Sequence, residues 1–426
     1  MIDVKELKTR YDEISKNIKD RFMNVDLDKI VKDQEERAAL LLEVENLRSK
    51  RNETAQKMKQ KLDNETRQRY IQEGKEIKEA LAEKEAKLTE LDEIFKKEAM
   101  TIPNYASPEA PIGKEDKDNL AIKFYGEPTK FSFKAKDHVQ LGEELDILDF
   151  DKGAKVSGQK FYYIKNKAVI LQMALERYAM DIVVKHGFTP FITPDVAKEE
   201  ILNGIGFNPR GAESNIYTIE GTDTCLVGTA EITLGGYYKD TILNKEDLPI
   251  KMTGLSHCFR REAGGAGQYS KGLYRVHQFS KLEMFIYCLP EESEMYHKEI
   301  LAIEEEIFQG LGLPYRIVDT ATGDLGAPAY RKFDIEAWMP GRGDEGEYGE
   351  VTSTSNCTDY QARSLNIRFR DDDGKIKFVH MLNGTAVALS RAMVAVIENY
   401  QNEDGSITIP PALVPYTGFD KIEKKN

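Results

Sequence analysis

An α+β chain in two parts is what this sequence predicts: a long antiparallel α-helical coiled-coil hairpin within residues 1–105, then an antiparallel β-sheet flanked by helices over 106–426. Three observations lead there. From Leu27 to Met100 there is no proline and Gly74 is the only glycine, while apolar residues recur at alternating steps of three and four. Near residue 100 the chain changes character, with Pro103, Pro108, Pro111 and Gly113 marking a linker. Beyond it, strand-like segments outnumber helical ones and several adjoin through short turns. A length of 426 residues with 40% hydrophobic content suits two domains with at least one sizeable core.

In the first part, Leu41, Val44, Arg48, Arg51, Ala55, Met58 and Leu62 mark the inner seam of one helix, and Ile77, Leu81, Lys84, Leu88, Leu91 and Phe95 that of a second. Asp63-Asn64-Glu65-Thr66 supplies the turn and N-cap between them, giving two helices of roughly 45 to 50 Å each at about 1.5 Å per residue. Charge reverses around that turn. The chain carries a net charge of -13, which excludes a protein that coats nucleic acid indiscriminately. Residues 48–78, however, hold ten Lys/Arg against five acids, a local +5 suited to an anionic partner. Arginines at seam positions give up packing, so Arg48 and Arg51 are expected to leave guanidinium groups available to phosphate.

In the second part, residues 168–186 read as an amphipathic helix ended by Gly187, followed by β-rich residues 188–194. Further strands are expected at 251–259, 274–287, 333–339, 347–353 and 377–382, with helices at 290–311 and 386–400. A strand through residues 259–262 would place Arg260 and Glu262 on one face. Neither a P-loop nor a GxGxxG fingerprint is present, so nucleotide chemistry here needs another fold. The four cysteines (Cys225, Cys258, Cys288, Cys357) are too scattered for a disulfide framework or a zinc site, so no zinc and a reducing compartment are expected. The N-terminus mixes charges and reads as neither a signal nor a transit peptide. No run of about 18 apolar residues exists, so no membrane partner is expected and the location is read as cytoplasmic.

Residues 168–194, 259–283 and 382–400 stand in order as three dispersed motifs. Between them lie Thr229-Ala230-Glu231, the run Arg275 to Glu283, and the run Glu350 to Cys357. Over essentially its whole length the chain thereby resembles the class II aminoacyl-tRNA synthetases, and within them the bacterial-type seryl-tRNA synthetases. The resemblance implies a class II catalytic domain over 106–426 and a tRNA-binding arm over 1–105. It implies a homodimer that activates L-serine with ATP and Mg2+ and transfers it to the 3' end of serine tRNA, leaving selenocysteine tRNA open as a second acceptor.

The same resemblance assigns residues. Arg260, Arg275 and Arg391 would be catalytic, Arg260 holding the α-phosphate and the substrate carboxylate. Glu262 would accept from the adenine amino group, with Phe279 on one face of the ring and Arg391 on the other, near the γ-phosphate. Arg261, Val276, Val351 and Thr352 would complete the ATP site, and Glu350 and Ser353 would hold magnesium between phosphates. Thr229 and Glu231 would form the serine amine site and Glu283 and Thr385 would read the hydroxyl, with Ala230 and Asn383 also binding serine. Arg48, Arg51, Lys57 and Lys59 would bind tRNA. The chemistry suits these types: a carboxylate attacking a phosphate joins two anions and needs fixed cations, and guanidinium groups bind both bidentately. His277 is expected to orient its neighbours rather than act as a base, because an ionised carboxylate needs no proton abstraction. Residues 263–272 are expected to form a mobile loop over ATP or the acceptor end. Two alternatives stand beside this reading: a paralogue that loads amino acids on carrier proteins, and a non-catalytic RNA-binding homologue. The first should lack the arm and the second should have lost some of Arg260, Glu262, Glu283 and Arg391.

Overall fold

The computed structural model describes residues 1–207, 215–262 and 269–424. They form two compact units, Met1–Pro103 and Asn104–Asn426.

The first unit contains a short helix α1 (Tyr11–Asp20) and the two long helices α2 (Leu27–Lys57) and α3 (Asn64–Ala99). Asp63 caps α3 by accepting from the Thr66 backbone N–H at 2.8 Å, as the turn chemistry requires. The cross-helix pairs Lys29–Glu98, Arg37–Asp92 and Arg48–Glu85 run in opposite directions along the two helices, so the hairpin is antiparallel. Leu40, Val44, Ile77, Leu81 and Phe95 are buried along the seam. One expectation changes toward the turn: Thr54 is buried and Ala55 exposed, while Arg48 and Arg51 are exposed. Arg48 pairs across the hairpin, its Nε and Nη2 donating to Glu85 Oε1 at 2.9 and 2.6 Å. A long side chain just off a helix seam reaches across to the partner helix more readily than it packs into it. Arg51 and Lys59 are exposed, and the Lys57 ammonium lies 5.9 Å from the Tyr70 ring centre.

The second unit is built on an eight-stranded sheet. In chain order its strands are β1 (Leu120–Tyr125), β2 (Thr189–Ile192), β3 (Ile250–Phe259), β4 (Gln278–Cys288), β5 (Tyr315–Asp319), β6 (Arg331–Met339), β7 (Glu347–Asn356) and β8 (His380–Ala388). Their spatial order is β1-β5-β6-β7-β8-β4-β3-β2. Every pairing is antiparallel except that of β2 with β3, which is parallel. Its main helices are α4 (His138–Glu144), α5 (Lys167–Lys185), α6 (Ala230–Gly236), α7 (Ser293–Gly310) and α8 (Leu389–Asn399).

Side-chain alternation along β4 divides the two faces. Leu282, Met284, Ile286 and Cys288 pack into a core with α5, α7 and α8. Phe285 and Tyr287 turn to the other face and pack with Leu202, Ile232 and Leu234. The next residues back along that second face are Glu283, Lys281 and Phe279, beyond the cover of α6, which leaves them lining a cleft. Several boundaries differ from expectation. The strand expected at 377–382 is two: Ile376–Phe378 lies in a separate three-stranded sheet, and β8 starts at His380. The region 274–277 is not strand: Gly272–Tyr274 form a turn of 3-10 helix and β4 starts at Gln278. Residues 386–388 are strand rather than helix, since β8 keeps its partner on β4 through Ala388, and α8 begins at Leu389.

Candidate active site

The cleft encloses about 220 Å³. Three neighbouring strands supply its floor, with Phe279, Lys281 and Glu283 from β4, Ser353 and Ser355 from β7, and Asn383 and Thr385 from β8. Alternate positions are expected to share a face, and these do. Glu350 breaks the parity with Ser353. A β-bulge leaves Val351 as the extra residue opposite Ile335 and Glu336, which returns Glu350 to the cleft side. Another bulge between Thr385 and Val387 precedes the turn into α8, whose third residue, Arg391, enters the cleft.

One end of the cleft is anionic and closely hydrogen-bonded. Thr229 caps α6 by accepting from the Glu231 N–H at 3.2 Å, and its Oγ1 donates to Glu283 Oε2 at 3.1 Å. Lys281 forms an ion pair with Glu283 and donates to Thr385 Oγ1 at 3.3 Å. Glu231 Oε1 accepts from Gln361 Nε2 at 2.7 Å and Asn383 Nδ2 at 3.0 Å. Burial, with the nearby Glu283 charge, pushes the Glu231 carboxyl up to about 7. A second carboxylate so placed is stabilised by any cation that enters.

The opposite end is cationic. Arg391 pairs with Glu350 at 3.1 Å, donates from Nε to the Tyr274 carbonyl at 3.3 Å, and lies 4.7 Å from the Tyr274 ring centre. Burial works against the ionised form of Glu350, but Arg391 and then Lys332 outweigh it and hold this carboxyl below its ordinary value. The Arg391 guanidinium is raised correspondingly, burial notwithstanding, chiefly by Glu350. Arg260 donates from Nε to the Gly228 carbonyl at 3.2 Å and stands 5.4 Å from the Phe279 ring centre. Its own carbonyl accepts from His277 Nδ1 at 2.8 Å, which is the orienting role expected of that histidine. Arg275 pairs with Glu262.

Arg260 and Glu262 both line the cleft, though not by strand alternation. The strand β3 ends at Phe259, and Glu262 reaches the cleft from a left-handed backbone conformation with φ of 50°. Thr229, Glu231, Val276, Val351 and Thr352 also line it, although the Thr352 hydroxyl points behind the sheet, donating to Glu304 at 3.0 Å. Ala230 and Arg261 are not among the lining residues; Ala230 is buried in the first turn of α6, and Arg261 donates its backbone N–H to the Asn215 carbonyl. Of the expected loop 263–272, residues 263–268 lie outside the described residues. Lys281 and Tyr274 were not singled out in the sequence, yet both are built into the site. Period-2 alternation about Phe279 and Glu283 is the signal that finds Lys281.

The family description "tRNA synthetase class II core domain (G, H, P, S and T)" matches residues 217–400, and "Seryl-tRNA synthetase N-terminal domain" matches residues 1–106. The chain is therefore a class II aminoacyl-tRNA synthetase. A serine–tRNA ligase of Treponema denticola is 64% identical over 99% of this chain and all of that protein, and one of Dictyoglomus turgidum is 53% identical over the full length of both. Seryl-tRNA synthetase of Pyrococcus horikoshii, solved with ATP, superposes with a TM-score of 0.89 at 40% identity over the whole of both chains. This chain belongs to the seryl-tRNA synthetase family.

Proposed function

We propose that this protein is an ATP-dependent serine–tRNA ligase that forms seryl-adenylate and then transfers serine to the 3' end of serine tRNA. The observation that supports it most is the polarity of this cleft: Glu231 and Glu283 at one end, Arg260, Arg275 and Arg391 at the other. A zwitterionic amino acid can then lie with its ammonium toward Glu231 and its carboxylate toward Arg260, aimed at a bound α-phosphate. Attack by that carboxylate forms the acyl–phosphate bond and expels pyrophosphate. Fixed guanidinium groups offset the charge that builds on the phosphoryl oxygens without having to reorganise.

Serine's hydroxyl would meet Glu283 and Thr385. A site built to bond a hydroxyl discriminates against an analogue lacking it by roughly 10⁴ or more, because the pocket's own polar groups are then left unpaired. Glu262, held by Arg275, would accept from the adenine amino group. The adenine ring would lie between Phe279 and Arg391.

Among the described residues no group of three or more His, Cys, Asp or Glu is placed to hold a metal ion. Magnesium needs no such cage, since it takes oxygen ligands and commonly completes its shell with phosphates. The Glu350 carboxylate and Ser353 hydroxyl fit it, both being oxygen donors on the cleft wall. When bound there it would supply charge neutralisation to the phosphates. Arg51, Lys57 and Lys59 of the arm would take the tRNA backbone, with selenocysteine tRNA a candidate second acceptor. A homodimer is supported by apolar side chains left exposed along α5 and β2, namely Ile170, Met173, Val184 and Ile192. No described helix is long and apolar enough to cross a membrane, and the location proposed is the cytoplasm.

The carrier-protein ligase and the non-catalytic homologue are not favoured: the arm is present, and Arg260, Glu262, Glu283 and Arg391 are all retained. Serine-dependent exchange of labelled pyrophosphate into ATP tests the first half-reaction. Exchange with serine and not with alanine or threonine is expected; its absence at saturating ATP and magnesium would overturn the proposal.

A further inference from the structure

Arg342 sits in the turn between β6 and β7, outside the cleft, and no step described above uses it. Its guanidinium carbon lies 4.5 Å from the Tyr269 ring centre and 4.8 Å from that of Tyr274, and the two rings meet edge to face at 5.3 Å. Tyr274 carries Arg391 by both its ring and its carbonyl oxygen. A continuous series of contacts thus runs from Tyr269 through Arg342 and Tyr274 to Arg391.

Two further features show that the turn is shaped for this guanidinium. Nε of Arg342 donates to Glu347 at 3.1 Å, which fixes the plane of the group. Gly349 leaves it room: a Cβ at that position would come within 2.4 Å of Arg342 Nη1 and 3.1 Å of the Tyr274 ring. A side chain at that position would displace the guanidinium from its place against Tyr274.

We infer that Arg342 is a positioning residue for amino-acid activation, holding Tyr274 so that Arg391 keeps the orientation in which it meets ATP. The inference rests on the proposed ATP site and goes beyond it by assigning a role to a residue that touches no substrate. A planar cation stacked on Tyr269 and Tyr274 restricts both rings, and Tyr274 in turn limits the rotamers open to Arg391. Losing it leaves Arg391 present but less often aligned, which weakens ATP binding more than it slows the bound complex.

The test is serine-dependent pyrophosphate exchange by the full-length protein carrying Arg342→Ala, Tyr269→Ala or both, with thermal unfolding measured alongside. KM for ATP is expected to rise about five- to tenfold in each single variant, with kcat changed by less than about twofold. The double variant should be no worse than the weaker single, because both changes break one series of contacts. KM for ATP within about twofold of the parent in both singles, or multiplicative losses in the double, would overturn the inference. Should Arg342→Ala fail to fold, Tyr269→Ala at its partly exposed position decides the matter alone. A parent protein without any serine-dependent exchange would refute the proposed function itself, an outcome distinct from unchanged variants.

Discussion

If Glu231 meets the serine ammonium as proposed, serine binding is a proton-linked reaction. Buried beside Glu283, the Glu231 carboxyl is pushed up from 4.5 to about 7, whereas in the unfolded chain it titrates near its ordinary value. At about 1.4 kcal/mol per unit, keeping it ionised in the empty pocket costs roughly 3 kcal/mol. The folded-state value is raised, so this penalty is absent below the unfolded-state value and grows as pH rises toward 7. The ammonium of serine, placed there as proposed, would offset the cost, because it needs the ionised form. Binding therefore selects the carboxylate, and at pH 6 only about a tenth of the free protein carries it. The apparent affinity for serine should fall about tenfold between pH 8 and pH 6, with a proton released per serine bound at the lower pH. Titration calorimetry in buffers of different ionisation heat measures both quantities. Glu231→Gln should bind serine at least tenfold more weakly at pH 8 and lose the pH dependence. A serine affinity flat from pH 8 to 6 in the parent protein, with no proton released, would refute the assignment of Glu231 to the ammonium.

Other expectations concern the two ends of the cleft, the arm and a residue behind the sheet. Arg391→Ala should lower pyrophosphate exchange by about 10² to 10³, the scale of losing one preorganised charge donor, while far-ultraviolet circular dichroism stays that of the parent. Glu283→Ala should lower kcat/KM for serine by about 10² or more, since it removes a partner of the hydroxyl and leaves Lys281 buried without its carboxylate. Reversing charge at Arg51, Lys57 and Lys59 should reduce tRNA charging, flatten its salt dependence and spare pyrophosphate exchange; equal loss of both activities would contradict the division of labour. Burial holds the Glu304 carboxyl well above its ordinary value, so Glu304→Gln should change unfolding free energy by less than about 1 kcal/mol at pH 7, whereas Glu304→Lys should destabilise by several. Chemical denaturation measures that difference.

How far the site could be read in advance depended on local regularity. On β4, where alternation is unbroken, Phe279 and Glu283 belong to the cleft as their spacing requires, and Lys281 between them follows from the same period. On β7 and β8, bulges at Val351 and after Thr385 shift the side-chain parity, so spacing alone does not place Glu350 beside Ser353. Glu262 depends on a left-handed residue that no propensity marks in a glutamate. The helix α8 was expected to start at Ala386 because Ala-Val-Ala-Leu suits either structure, and the pairing of β8 with β4 decided for strand. In the arm the period was legible but its exact register was not: the buried run passes through Leu40, Val44 and Thr54, so Arg48 falls beside the seam and pairs with Glu85 across the hairpin. The Arg342 contacts join residues far apart in sequence and have no local signature at all.

If this cleft and this arm serve one reaction, the loading of serine onto tRNA, that reaction can be assayed whole. Charging of total tRNA by the full-length protein, with each of the twenty amino acids offered separately in the presence of ATP and magnesium, tests it most directly. Acid-precipitable label from serine alone is the predicted result. Charging by another amino acid, or none by any while serine-dependent pyrophosphate exchange proceeds, would contradict it.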